Sequence, residues 1–144
     1  MVVRPGRVTD LEAIVPLVQE FCAVDGHPYD EALVRGALGP LLASDQHGVV
    51  WLAVQDEAVA GYAVVTWGYS LESGGRDALL DELYVRARRK GVGGALMEAL
   101  LADCTARGLR RMFLETEAAN DGARRFYRAT GFDEEDSVWM SRTL

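Results

Sequence analysis

Two acidic residues and one tyrosine carry the side chains that an acid–base reaction needs. Asp81 and Glu82 are neighbours in the run LLDELYV, and Tyr127 follows Phe126 in a short amphipathic stretch. A carboxylate can accept the proton of an ammonium group, and a phenol can give a proton to a leaving group. Successive residues of a strand point to opposite faces, so only one of the two carboxylates is expected to face a substrate. Solvated strand carboxylates and a packing tyrosine are the structural alternatives.

The stretch RRKGVGGAL, residues 88–96, has the composition of an anion-binding turn. Gly91 and Gly93 allow successive amides to point at one anion, and a helix beginning near Gly94 adds the positive end of its dipole. Three cations precede the glycines: Arg88, Arg89 and Lys90. A pyrophosphate fits this arrangement, and the structural alternative is a glycine-rich turn beside a solvated basic run.

Two other phosphate-binding motifs do not fit the same stretch. A P-loop needs Gly-Lys-Ser/Thr, whereas Gly94 is followed by Ala95 and Leu96. A dinucleotide fingerprint needs a third glycine at the position that Leu96 occupies. The spacing therefore favours a strand, then Arg-x-x-Gly-x-Gly, then an amphipathic helix.

The first half of the chain must supply the elements that hold these residues. Val2 and Val3 begin a strand, and a capping box from Thr9 to Glu12 predicts a helix to residue 23 that Pro16 kinks or delays. A second helix is expected over residues 30–44, interrupted at Gly39-Pro40. Three residues, 56–58, then join two β-branched runs at 49–55 and 59–69, which is hairpin spacing.

The second half alternates strands with helices. After a polar turn at 71–77, the predicted elements are a strand at 78–85, a helix at 94–107, a strand at 110–117, a helix at 120–130 and a strand at 137–143. Gly108 and Gly131 are the expected helix ends, and Asn120 the cap of the last helix. The order predicts a single-domain α/β protein, residues 1–144, with a mixed, mostly antiparallel sheet flanked by helices.

Composition limits the classes of partner. The 144 residues, 49% of them apolar, suffice for one core, and the net charge of −7 argues against nucleic acid as a partner. Cys22 and Cys104 are far apart and lack ligand-spaced histidines, so no metal site is expected. No apolar run reaches membrane-spanning length and no signal peptide is recognisable, so we expect a cytoplasmic protein without a membrane partner.

Three motifs in one order connect the chain with a known family. They are Asp81-Glu82-Leu83-Tyr84-Val85, Arg88-x-x-Gly91-x-Gly93, and Asn120-x-x-Ala123-x-x-Phe126-Tyr127-x-x-x-Gly131-Phe132. Together they resemble the GCN5-related N-acetyltransferase (GNAT) superfamily and its acyl-CoA N-acyltransferase fold. The acidic pair is similar to that of the diamine and polyamine acetyltransferase branch. Only Arg86 and Ala87 separate Val85 from Arg88, a connection two residues shorter than in the usual family pattern.

The resemblance implies acetyl-CoA as co-substrate, no metal, and roles for individual residues. Tyr127 would be the general acid, and Asp81 or Glu82 the base, with Asp81 at the better-known position of the pair. The positions that would bind coenzyme A are Leu83, Tyr84, Val85, Arg88, Arg89, Lys90, Gly91, Val92, Gly93, Gly94, Asn120, Ala123 and Phe126. The positions that would shape the acceptor pocket are Asp25, Tyr29, Tyr69, Glu72 and Glu115.

The predicted activity is acetyl transfer from acetyl-CoA to a primary amine of a small molecule by direct attack. The acidic pair and the net charge of −7 favour polyamine-like, amino-acid-like or aminoglycoside-like amines. A non-catalytic acyl-CoA-binding module and a protein N-acetyltransferase are the alternatives. A homodimer is expected from the family.

Overall fold

The computed structural model describes residues 1–86 and 91–144, which divide into two compact units, Met1–Leu114 and Glu115–Leu144. The strands of the first unit are β1 (Val2–Pro5), β2 (Gly48–Gln55), β3 (Ala58–Ser70), β4 (Gly75–Val85) and β5 (Met112–Phe113). Its helices are α1 (Leu11–Asp25), α2 (Glu31–Ala43) and α3 (Val92–Ala106), after a 3₁₀ turn at Val8–Asp10. The second unit contains α4 (Asp121–Ala129).

The five strands form one sheet in the order β1-β2-β3-β4-β5. Neighbours from β1 to β4 are antiparallel, and β5 is parallel to β4 through the pairs Ala78 with Met112 and Leu79 with Phe113. The predicted fold class, a mixed and mostly antiparallel α/β sheet flanked by helices, is therefore confirmed.

Alternation along the strands divides the apolar side chains between two faces of the sheet. Leu52 and Tyr62 pack with α1 and α2, whereas Ala53 packs with Val92 and Leu96 of α3. All five of these residues are essentially inaccessible to solvent. Because burial of large apolar side chains is the main stabilising term of folding, these two clusters hold β3 and β4 between helices.

The capping box predicted at Thr9 is wrong. Asp10 is the residue that organises this turn: its Oδ2 accepts a hydrogen bond from the Arg7 amide at 2.8 Å, and both of its oxygens accept from Arg4 at 2.8 and 2.9 Å. A carboxylate accepts such bonds more strongly than a hydroxyl, so the ionised Asp10 displaces Thr9 from the capping role.

Neither internal proline delays or interrupts its helix. α1 begins at Leu11, well before Pro16, and α2 runs through Pro40 to Ala43. A proline removes one backbone donor, but the buried residues Leu38 and Leu42, on either side of Pro40, anchor α2 in the core. The predicted start of α2 is confirmed, since the Asp30 side chain accepts a hydrogen bond from the Leu33 amide at 3.2 Å.

The hairpin between β2 and β3 is confirmed, with a tighter turn than predicted. Asp56 and Glu57 adopt left-handed φ angles of 52° and 63°, as a two-residue hairpin turn requires. β4 begins at Gly75 rather than at residue 78, because backbone pairing with β3 extends to Gly75 opposite Ser70. Propensity alone does not show such pairing, since Gly75 and Asp77 are poor strand formers.

The C-terminal half departs most from the sequence prediction. Gly108 and Gly131 have φ angles of 76° and 101° and end α3 and α4 as expected. The strand predicted at 110–117 contracts to Met112–Phe113, and the strand predicted at 137–143 is wrong. A strand needs a hydrogen-bonded neighbour, and the β propensity of Val138 and Trp139 cannot supply one. Across the described residues, no helix combines the length and apolar character needed to cross a membrane.

Candidate active site

A β-bulge places the acidic pair in β4. Val64 of β3 pairs with Glu82 and the next residue, Val65, pairs with Leu80, so Asp81 is an extra residue without a cross-strand partner. Bulges of this kind bend a strand and redirect its side chains. The strict alternation assumed for Asp81 and Glu82 therefore does not apply at this point of β4.

Glu82 has a fixed hydrogen-bonding partner on β3. The hydroxyl of Tyr62 donates a hydrogen bond to Oε1 of Glu82 over 2.6 Å. Tyr62 is completely buried and Glu82 is half-buried. Hydrogen bonds to a charged acceptor are short and strong, so the phenol fixes one oxygen of the carboxylate.

The environment of the acidic pair makes both carboxyls weaker acids. Burial raises the pKa of Glu82; the Tyr62 hydroxyl opposes this shift, and the negative charge of Asp81 adds to it. Packed neighbours also raise the pKa of Asp81 by desolvating its carboxyl, although the residue as a whole keeps an exposed surface. A carboxylate with a raised pKa is a stronger base, which suits the removal of a proton from an amine.

The end of α1 contributes a third carboxylate near Glu82. Oδ2 of Asp25 lies 2.6 Å from Nε2 of His27; His27, when protonated, lowers the pKa of Glu82, and the charge of Asp25 raises it. Asp25, which was predicted as an acceptor-site residue, therefore acts electrostatically on Glu82 of the acidic pair. Tyr29 donates a long hydrogen bond of 3.4 Å to Glu31, and Tyr69 is 78% exposed near the opposite end of β3 from Tyr62.

A second contact ties α1 to the end of β4. The Glu20 carboxylate accepts two hydrogen bonds from Arg86, at 2.6 and 3.1 Å, and one from the hydroxyl of Tyr84 at 3.1 Å. The Arg86 side chain holds the pKa of Glu20 below its usual value. Glu20 therefore ties α1 to Tyr84 of β4 and to Arg86, the residue that follows this strand.

The start of α3 can accept an anion. Gly91 caps this helix with a left-handed φ of 84°, and a Cβ built on Gly91 or Gly94 would meet no atom within 4 Å. The first amides of a helix lack intrahelical partners and bear its positive end. Among the described residues no side chain caps this turn, which is the position at which a pyrophosphate group was predicted.

The adjoining edge of β4 is open in the described part of the chain. Its pairing with β5 is limited to Ala78 and Leu79, so the segment from Leu80 to Val85 pairs with β3 alone. Strand amides and carbonyls alternate between the two edges, so some backbone groups of this segment point to the edge for which the described residues show no strand partner. Leu83, Tyr84 and Val85, the residues predicted to bind the coenzyme A arm, belong to this segment.

The second unit carries the remaining predicted residues on α4. Asn120 caps this helix by accepting a hydrogen bond from the Ala123 amide at 3.1 Å. Tyr127 is half-buried, with its ring edge-to-face with Phe126 at 5.3 Å and Phe132 at 6.0 Å between centroids. The cap and the aromatic cluster give the Tyr127 ring a defined orientation within α4 and the turn that follows.

Some predicted residues have no described place in the site. Arg88, Arg89 and Lys90 lie outside the described residues, and so does the shortened connection that includes Ala87. Glu72 is exposed in the turn before β4, and Glu115 begins the second unit. Within residues 1–86 and 91–144, no three His, Cys, Asp or Glu side chains are grouped so as to hold a metal ion.

Tyr62 and His27 are the site residues that sequence reasoning missed. Tyr62 stands in an apolar strand, YAVV, in which a tyrosine is usually a core residue. The available signal was the β3–β4 register, because Tyr62 pairs with Tyr84 and so shares a face with Glu82. Finding that register requires the bulge at Asp81, which the sequence does not reveal.

Comparisons with known proteins show the family to which the chain is similar. A model of the acetyltransferase (GNAT) family matches residues 11–132. The chain is 27% identical over 141 residues to a Bacillus subtilis (strain 168) protein named uncharacterized N-acetyltransferase YhfO, covering 94% of this chain and 91% of that one.

Solved structures share the whole fold. An integron cassette protein from the mobile metagenome of Cole Harbour Salt Marsh is 29% identical, with a TM-score of 0.87 over 99% of this chain and 90% of that one. An aminoglycoside acetyltransferase from an uncultured soil metagenomic sample, crystallised with sisomicin, is 23% identical. Its TM-score is 0.79 over 99% of this chain and 95% of that one, which shows a common fold.

Proposed function

This chain belongs to the acetyltransferase (GNAT) family, and on that basis we propose that it transfers an acetyl group from acetyl-CoA to a primary amine of a small molecule. It is an N-acetyltransferase, and acetyl-CoA is its co-substrate. The acceptor class, the catalytic residues and direct attack by the amine are the parts that go beyond family membership.

The observation that carries the acceptor proposal is the environment of Glu82. Its half-buried carboxylate is held by Tyr62 and lies within the fields of Asp81 and Asp25. An alkylammonium has a pKa of about 10 and cannot attack before it loses a proton. The negative field attracts the cation, and Glu82, whose pKa burial raises, takes its proton directly or through water.

Bond formation then follows a balanced course. The neutral amine nitrogen forms a bond to the thioester carbonyl carbon, the carbon–sulfur bond breaks, and the sulfur leaves as a thiolate. The ammonium group loses one proton to Glu82 before the attack, and the nitrogen loses a second proton to solvent after its bond to carbon has formed. The thiolate takes up one proton from an acid. Backbone amides between Leu83 and Val85, on the edge of β4 away from β3, would donate hydrogen bonds to the thioester carbonyl and the pantetheine arm.

We assign the remaining roles as the family motifs suggest. The first turn of α3, from Gly91 to Gly94, would bind the pyrophosphate of coenzyme A. Tyr127 would donate the proton to the thiolate, and Asn120 would both cap α4 and contact the pantetheine. Diamines or polyamines are the acceptors that the acidic pair favours, because several cationic groups gain most from a cluster of carboxylates.

The test is release of free coenzyme A thiol from acetyl-CoA across a panel of amines. The panel contains a polyamine, an amino acid amide, an aminoglycoside and a peptide with a free N-terminus, each assayed with wild type, Glu82→Gln and Asp81→Asn. We expect one of the small amines to be acetylated, and Glu82→Gln to lower kcat/KM by about 100-fold or more. Asp81→Asn, which neutralises the neighbouring carboxylate, should lower kcat/KM much less.

The outcomes separate the alternatives. Acetylation of the peptide alone would replace the small-molecule acceptor by a protein one. If no amine raises thiol release above hydrolysis while coenzyme A still raises the melting temperature, a binding module replaces the transferase proposal. If kcat/KM fell further in Asp81→Asn than in Glu82→Gln, Asp81 and not Glu82 would be the base.

Three further predictions rest on the resemblance and the composition. The chain is proposed to act as one N-acetyltransferase domain, in the cytoplasm, as a homodimer. Light scattering of the purified protein tests the dimer directly.

A further inference from the structure

Tyr62 has a hydroxyl where a core position of β3 would ordinarily need none. The residue is fully buried among the apolar side chains that pack under α1 and α2. A buried hydroxyl costs free energy unless it is hydrogen-bonded, and this one donates its hydrogen to Glu82 Oε1 at 2.6 Å. The hydroxyl therefore serves Glu82 and not the packing of the core.

The ring of Tyr62 is held on all sides, so the position of its hydroxyl is fixed. Tyr84 lies opposite it in the β3–β4 register, with ring centroids 6.3 Å apart, and Phe21 of α1 packs edge-to-face on Tyr84 at 6.0 Å. Aromatic pairs at these distances add stabilisation beyond the area that they bury. The donor reaches Glu82 from a rigid part of the core.

We infer that Tyr62 is a positioning residue of this enzyme: its hydroxyl binds one oxygen of Glu82 in the ionised state and leaves the other oxygen for the proton of the amine. The inference rests on the proposed role of Glu82 as the base. Tyr62 belongs to β3 and lies outside the three sequence motifs, so this role is additional to those that the motifs suggest.

The charges around Glu82 explain why such a donor is needed. Burial and the carboxylates of Asp81 and Asp25 favour the neutral form of Glu82, whereas the imidazole of His27, when protonated, favours the ionised form. Cys22 of α1 also lies within the field of Glu82. Tyr62 remains a donor throughout, because burial raises the pKa of its phenol far above neutrality. Its hydrogen bond offsets part of the burial cost and favours the ionised form of Glu82.

The test is Tyr62→Phe, which deletes only the hydroxyl. We expect kcat/KM at neutral pH to fall about tenfold, as loss of one hydrogen bond to a charged group implies. The acidic limb of the kcat/KM profile should move to higher pH, since Glu82 without its donor is protonated more readily. In a Glu82→Gln background, the same substitution should have little further effect on kcat/KM, because both changes act through one carboxylate.

A second measurement does not depend on turnover. In protein labelled with ¹³C at glutamate side-chain carboxyls, the resonance missing from Glu82→Gln identifies Glu82, and its titration midpoint should rise in Tyr62→Phe. Tyr84→Phe is the matched control, because its hydroxyl donates to Glu20 and its removal should leave the Glu82 midpoint in place.

The two measurements separate this inference from the proposed function. If Tyr62→Phe folds and both the pH limb and the midpoint stay at their wild-type values, Tyr62 has no positioning role and the inference is overturned. If the midpoint rises while wild type acetylates no amine, the Tyr62–Glu82 contact stands, but the role of Glu82 as base and the positioning role built on it fail together.

Discussion

Glu20 connects α1 to the strand end where coenzyme A is proposed to bind, and Glu20→Gln tests that connection. The substitution keeps the shape of the side chain but removes the charge that Arg86 binds through two hydrogen bonds. The side chains are 38% and 42% exposed, so the pair contributes at the lower end of the range for charged contacts, about 1 kcal/mol. If the strand end is ordered for binding by this contact, KM for acetyl-CoA should rise about fivefold, with kcat within about twofold of wild type.

The same helix offers a matched control. Glu12 also binds an arginine through two hydrogen bonds, at 2.7 and 3.1 Å to Arg35, but this pair links α1 to α2. Steady-state kinetics with acetyl-CoA varied at saturating amine should show a raised KM for Glu20→Gln and an unchanged KM for Glu12→Gln. Equal KM values for both variants would refute the argument that Glu20 organises the cofactor end of β4.

Three further predictions concern stability and the proposed acid. Asp10→Asn should lower the free energy of unfolding by about 1–2 kcal/mol at pH 7, measured by denaturant titration. Because Arg4 holds the pKa of Asp10 low, wild type keeps this stability above the usual aspartate pKa and loses it as pH falls through the lowered value. If the free energies of unfolding of wild type and Asp10→Asn still differed in strong acid, this explanation would be contradicted. Gly61→Ala should lower the melting temperature by several degrees, since the new Cβ would lie 2.8 Å from the Tyr84 carbonyl oxygen; an unchanged melting temperature would show that the backbone adjusts at no cost. Tyr127→Phe should lower kcat by about 100-fold in single-turnover acetyl transfer, and a full rate at every pH would remove Tyr127 as the acid.

Features with a local physical cause were predictable from the sequence. Asp30 and Asn120 cap helices because a short polar side chain can reach an amide three residues later. Gly108 and Gly131 end helices because a left-handed residue costs glycine little. The local patterns likewise predicted that Asp81 and Glu82 lie in a strand and that a helix follows the glycines at 91–94.

Features that depend on partners distant in sequence were not predictable. Pro40 suggested a broken helix, yet the burial of Leu38 and Leu42 outweighs one lost hydrogen bond. Trp139 has a strong strand preference and is nevertheless 69% exposed outside any strand. Tyr62 looked like an ordinary core residue, because its role depends on a carboxylate 20 positions away.

The extra residue at Asp81 divides β4 into two segments with opposite side-chain phase. From Gly75 to Leu80 the strand alternates in step with β3, and from Glu82 to Val85 it alternates one residue later. If Asp81 instead paired with Val64 as a regular strand residue, Glu82 would lie opposite Ala63 on the side of α3, and Leu83 would lie on the side of α1 and α2. A single unpaired residue therefore lets the first segment build the sheet while the second presents a carboxylate beside Tyr62, and deletion of Asp81 should keep Glu82 opposite Val64 while it removes the local bend of the strand.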